Sequence, residues 1–252
     1  MRLRGLAAAI VLAGIPILAQ QAPKPKSQKE VEALQKVQAA AQSGNYDAEI
    51  QAINYVLENF ADTEYKNMLL NMAVDAAQRK GDYAQTVAFG EQALQADPSN
   101  IITRVALAET IAQHTRENDL DKEQSLKKVD DYANKALELL KTSSAPPTGI
   151  APDKWPDFKK ELTEQAHDAL GLAAQLRKKY PEAIDHFKDG LASNPSAVCE
   201  AHLAKAYVDN KQYDDAISTA DKVLAMNDAP PVVKQFAQQQ KDAATKLKGA
   251  AK

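Results

Sequence analysis

The chain has 252 residues, 44% hydrophobic and 26% charged, which is enough for one sizeable folded body and excludes compositional disorder. A formal net charge of −3 without any long Lys/Arg run argues against nucleic acid as the main partner. Cys199 is the only cysteine, so no intrachain disulfide forms and stability must come from packing.

In chain order, residues 1–19 read as a signal peptide: Arg2 and Arg4 supply a positive start, Leu6 to Leu18 an apolar run, and Ala19 a small residue at the cut. The apolar run is too short for a stable membrane span and is broken by Gly14 and Pro16. Without a Cys at the cut site a lipid anchor is not expected. The expected location is periplasmic or secreted after cleavage near Ala19, with 29 basic against 34 acidic residues left once Arg2 and Arg4 are gone.

Residues 20–26, with two prolines and two lysines, read as a linker. Ser27 with Glu30 three residues later forms a capping box and predicts the first helix start. From Glu30 to Lys248 the apolar spacing is helical, with no alternating runs or hairpin turns, so the fold class is all-α.

Four Tyr–Leu pairs recur at a fixed distance of eleven: Tyr46 and Leu57, Tyr83 and Leu94, Tyr180 and Leu191, Tyr213 and Leu224. A constant internal distance with variable spacing between copies marks a repeated two-helix unit with tolerant connections. The clearest copy carries Leu170-Gly171 in its first helix, a turn at Lys178 to Pro181, and Ala183, Phe187 and Leu191 in its second. Gly171 permits close helix approach, and Pro181 sits where a helix start tolerates its missing N–H. A second copy has Leu203-Ala204, Tyr207, Tyr213, Ala216, Ile217 and Leu224. An earlier one shows Gly81-Asp82-Tyr83, Val87 and Ala93-Leu94, and a first one is built on Gly44-Asn45-Tyr46, with Glu49 where a small residue is usual. Between them lies an expanded copy, Leu107-Ala108 and Ile111 in one helix and Val129, Ala133, Ala136 and Leu137 in the other, its inner turn lengthened by Arg116 to Ser125.

These residues resemble the tetratricopeptide repeat, a helix-turn-helix unit with a Leu-Gly pair, a turn Tyr, a small Ala, a Phe and a closing Pro such as Pro195. The resemblance implies a right-handed α-solenoid of about five helix pairs plus a C-terminal capping helix. The expected organisation is front repeats at 27–141, a Pro/Ser-rich linker at 142–154, back repeats at 155–230 and the capping helix and tail at 231–252. It also implies a concave groove lined by first helices, whose candidate partner-binding residues are Asn71, Asp75, Gln78, Glu109, Gln113, Asp168, Gln175, Lys205 and Asp209. Four acids against one Lys predict a polar to basic protein or peptide segment as partner; a solvated helix face is the alternative.

Catalysis finds no support: there is no Gly-rich phosphate loop and no Gly-x-Ser-x-Gly turn. Among His114, His167, His186 and His202 no two stand four apart on one helix, so neither a metal nor another cofactor is expected, although the last three fall in the back repeats. Cys199 reads as a small buried hydrophobe, with a reactive thiol as the alternative. Trp155, the single tryptophan, reads as a helix pin or else a partner anchor. The expected role is a non-catalytic interaction scaffold. Its alternative is a self-associating structural element whose contact edge includes Met68, Ile102 and Val105.

Overall fold

A computed structural model describes residues 23–147 and 150–250. The expected signal peptide and the first three linker residues lie outside the described residues, as do positions 148–149 of the second linker. The described residues form eleven helices and no strand: α1 (Gln28–Ser43), α2 (Tyr46–Asn59), α3 (Lys66–Lys80), α4 (Tyr83–Ala96), α5 (Ile101–His114), α6 (Lys122–Thr142), α7 (Trp155–Leu176), α8 (Tyr180–Ser193), α9 (Ala197–Asp209), α10 (Tyr213–Ala225) and α11 (Pro231–Ala250). They divide into two compact units whose boundary falls inside α5, between Ala106 and Leu107. The segment 143–154 therefore belongs to the second unit, where α6 packs on α7.

The four repeated tyrosines open α2, α4, α8 and α10, so each Tyr–Leu pair spans the second helix of a helix pair. Local chemistry explains several of the starts. The side chains of Ser27, Asn45, Asp82 and Ser196 each accept from the backbone N–H three residues ahead, satisfying one of the donors a helix N-terminus leaves open. Glu30 departs from the capping-box expectation: it accepts from Lys26 N at 2.6 Å and from the Thr63 hydroxyl at 2.6 Å, and it is buried.

Three of the turns inside the pairs share one construction. Just past α3, α7 and α9 two successive residues bond back to the helix end: Gly81 N to Gln78 O and Asp82 N to Ala77 O; Lys178 N to Gln175 O and Lys179 N to Ala174 O; Lys211 N to Val208 O and Gln212 N to Tyr207 O. This is the paired closure that satisfies final helix carbonyls through a left-handed residue. Gly81 takes that conformation at φ 74°, whereas Lys178 and Lys211 take it at φ 61° with a full side chain.

In the first unit, Ile53, Val56, Leu69, Leu70, Ala73 and Ala77 form a fully enclosed core with Val37 and Phe89. Residues expected as a loose linker are tied down there: Lys24 N donates to Glu64, Lys26 Nζ pairs with Asp62 at 2.9 Å, and the Tyr65 hydroxyl donates to Pro23 O at 2.7 Å. Glu49, at the position where a small residue is usual, is buried, and burial beside Asp75 raises its pKa. Val105 is 1% exposed, so it does not belong to an exposed self-association edge, although Met68 does reach the surface.

In the second unit, α7 packs closely on α8 at Gly171. A Cβ on Gly171 would stand 2.4 Å from the Phe187 ring, and Phe187 is completely buried. Such contact forces glycine at 171. α9 and α10 form the next pair, and α11 packs on both of them through Ala237 and Ala244. Trp155, 3% exposed, opens α7 and tilts against Phe158 at 6.3 Å between ring centres, which makes it an internal pin.

Candidate functional site

The nine candidate groove residues fall in two groups, one per unit. On α3, Asn71 Oδ1 accepts from Asn100 Nδ2 at 2.7 Å and from the Thr103 hydroxyl at 3.0 Å. Asp75 pairs with Arg79 at 2.7 Å one helical turn away, and Gln78 donates to the Ala106 carbonyl at 3.3 Å. These groups face solvent to different degrees, but their polar atoms are already engaged within the unit.

In the second unit, Gln175 on α7 and Lys205 on α9 both donate to the same oxygen of Asp209, each at 2.7 Å. This network joins two successive first helices and neutralises Asp209. Glu109 differs. It accepts from Gln113 at 3.1 Å and is partly screened by His202, yet burial and the field of Asp168 push its pKa up to about 7. A carboxyl so placed gains by meeting a cation.

Asp168 is not a groove residue in the expected sense. It is 5% exposed and its carboxylate receives His202 Nδ1 at 2.9 and 3.1 Å. One helical turn before it, Glu164 is 6% exposed, and burial with the neighbouring Asp168 raises its pKa to about 8; a hydrogen bond with Ser196 only partly opposes this. Cys199 completes the cluster. One donor atom each from Glu164, Asp168 and Cys199 lie within 4.8 Å of one another. Burial first, then the two acids, raises the thiol pKa, so the alternative of a reactive thiolate is not met. His202 is raised despite its burial, because Asp168, Glu164 and Glu109 surround it.

The other histidine contact is separate: His167 and His186 meet Nδ1 to Nδ1 at 3.4 Å, and burial followed by His186 lowers the His167 pKa. His202 has a second face, where Val198, Ala201, Val232, Val233 and Phe236 line a shallow apolar pocket.

Sequence reasoning does not bring Glu164, Cys199 and His202 together with Asp168. The signal for it is a carboxylate pair four apart, Glu164 and Asp168, and a Cys–His pair three apart, Cys199 and His202, each spacing placing both members on one helix face.

The eleven-helix order, the paired turns and the absence of strands among the described residues define a helical-repeat protein. The particular fold follows from solved structures. TTC0263, a thermophilic tetratricopeptide-repeat protein of Thermus thermophilus, matches with a TM-score of 0.55 at 15% identity, covering 86% of this chain and 99% of its own. MamA of AMB-1 matches with a TM-score of 0.52 at 16% identity, covering 81% of this chain and 94% of its own. The chain therefore has the all-α tetratricopeptide-repeat fold expected from its motifs. No family model matches the sequence, and no curated protein matches it. Among the described residues no helix is long and apolar enough to cross a membrane.

Proposed function

We propose that this protein is a non-catalytic interaction scaffold that holds a polar to basic segment of another protein against the first helices of its repeats. The fold supports the scaffold reading, since helix-pair repeats present extended faces rather than an enclosed reaction chamber. The observation that carries the charge preference is Glu109, an acid held near neutrality by burial and by Asp168, with Gln113 exposed beside it. A Lys or Arg side chain brought to Glu109 restores its ionised form, and the interaction gains from the partial burial. Asn71, Asp75 and Gln78 offer a second polar face on the other unit. The setting we propose is periplasmic or secreted, supported by the charged start, apolar run and small exit of residues 1–19.

The test is fluorescence anisotropy with a Lys-rich and a Glu-rich peptide of equal length, at low and high salt. Binding of the Lys-rich peptide that weakens with salt and falls at least fivefold in Glu109→Gln supports the reading. Preference for the Glu-rich peptide overturns it.

A further inference from the structure

We infer that Glu164, Asp168, Cys199 and His202 form a binding site for one zinc-class divalent cation that joins α7 to α9. This goes beyond the interaction role and does not rest on it.

The geometry starts from two helices. Glu164 and Asp168 stand one turn apart on α7, and Cys199 and His202 stand three residues apart on α9, so each helix points two donors at the other. The Glu164, Asp168 and Cys199 donor atoms lie within 4.8 Å of one another, and His202 Nδ1 lies 2.9 Å from Asp168. A tetrahedral zinc with bonds of about 2.0 to 2.3 Å separates its donors by about 3.5 Å, so Glu164, Asp168 and Cys199 close on it with side-chain movement of about 1 Å, and His202 joins them from its place against Asp168. One thiolate, one imidazole and two carboxylates suit a borderline cation, whereas magnesium and calcium take all-oxygen sets.

The surroundings favour a cation as well. Glu164, Asp168 and Cys199 are all less than a tenth exposed, and His202 Nδ1 faces the Asp168 carboxylate. Burying two carboxyl groups and a thiol together is costly unless they are protonated or share a positive charge. Neighbouring groups already orient the donors: Ser196 hydrogen-bonds Glu164, the Cys199 thiol faces the Phe187 carbonyl at 3.5 Å, and the rings of Phe187 and Phe236 flank His202. Such outer contacts fix ligand orientation. Backbone clearance is tight too, since a Cβ on Gly190 would meet the Glu164 carbonyl at 3.2 Å and the Cys199 sulfur at 3.6 Å. Four protein donors in a closed site correspond to a structural cation, with no position left for substrate.

Binding is a proton exchange without redox change. The Cys199 S–H proton, the acid proton of Glu164 and the proton on His202 Nδ1 pass to solvent as their lone pairs bind the metal.

The experiment is a titration of the full chain, stripped with chelator, with Co²⁺ followed by Zn²⁺. The expected result is saturation at one equivalent, with the visible bands of four-coordinate cobalt and a thiolate-to-cobalt charge-transfer band, both erased by one equivalent of Zn²⁺. Cys199→Ser should lose the charge-transfer band, and His202→Gln should bind at least tenfold more weakly. Glu164→Gln keeps the shape and hydrogen bonding of the protonated acid and so remains folded if the others do not; it should also weaken binding at least tenfold. His186→Gln should bind like the native chain. Absence of saturable binding at one equivalent overturns the proposal, as does a cobalt spectrum unchanged in Cys199→Ser or one lost only in His186→Gln.

Discussion

Lys211 holds a left-handed backbone, φ 61°, at a turn where the first unit uses glycine. An L-residue in that region costs on the order of 1 kcal/mol, and glycine escapes most of it. Lys211→Gly is expected to stabilise the chain by about 1 kcal/mol, read as a rise in the denaturant midpoint without a change in slope; an unchanged or lowered midpoint contradicts the strain reading. Single residues also show where sequence reasoning stops. Leu170, Ala183, Phe187, Leu203 and Ala216 are legible because helical spacing alone says which face is buried, and all are buried. Asp168 has the same spacing as a groove residue but is enclosed by a histidine 34 positions away, a pairing that depends on how α7 and α9 align. Glu49 makes the same point in reverse, a charged side chain enclosed at the position where the last two repeats carry Ala183 and Ala216.

At the scale of the element, α7 and α8 meet closely where Gly171 faces the Phe187 ring. Gly171→Ala places a methyl group inside the van der Waals space of the Phe187 ring, which is enclosed and has no room to swing. The expected loss is about 1 to 3 kcal/mol, measured by chemical denaturation. Leu203→Ala, on α9, should cost about 2 to 5 kcal/mol because the side chain is 5% exposed within the α8–α9–α10 core. An unchanged stability for either variant would contradict this packing. The existence, type and order of these helices were readable from the Tyr–Leu distance and the Leu-Gly pair. The split inside α5 was not, because continuous helical periodicity runs across Ala106 and Leu107 and carries no sign of how contacts divide on either side.

For the molecule as a whole, pH and stability are linked through the buried acids of the second unit. Glu164 is raised to about 8 and Glu109 to about 7, and His202 is also raised. In each case the folded chain holds protons that the unfolded chain releases at lower pH. Their contribution is therefore complete below about pH 4.5 for the acids and is lost as pH rises through 7 and 8. His167, lowered by burial, acts in the opposite sense below its usual value, which limits the gain in acid. With chelator present, the chain should be more stable at pH 5.5 than at pH 8.5, by on the order of 3 kcal/mol, and Glu164→Gln should flatten the slope. A denaturation midpoint that rises with pH across this window contradicts the assignment. Zinc at the four-donor cluster would reverse the sign, since metal binding displaces the same protons.

The paired backbone closures after α3, α7 and α9 have a further consequence for chain length. Each fixes the number of residues from the last turn of one helix to the first turn of the next, so an added residue breaks both bonds and rotates the following helix away from its seat. Among the described residues the two longest connections, 115–121 and 143–154, contain no such closure, and α6 lies between them. Length variation among natural variants should gather at those two places, and a reporter domain spliced into either should leave the helix pairs intact.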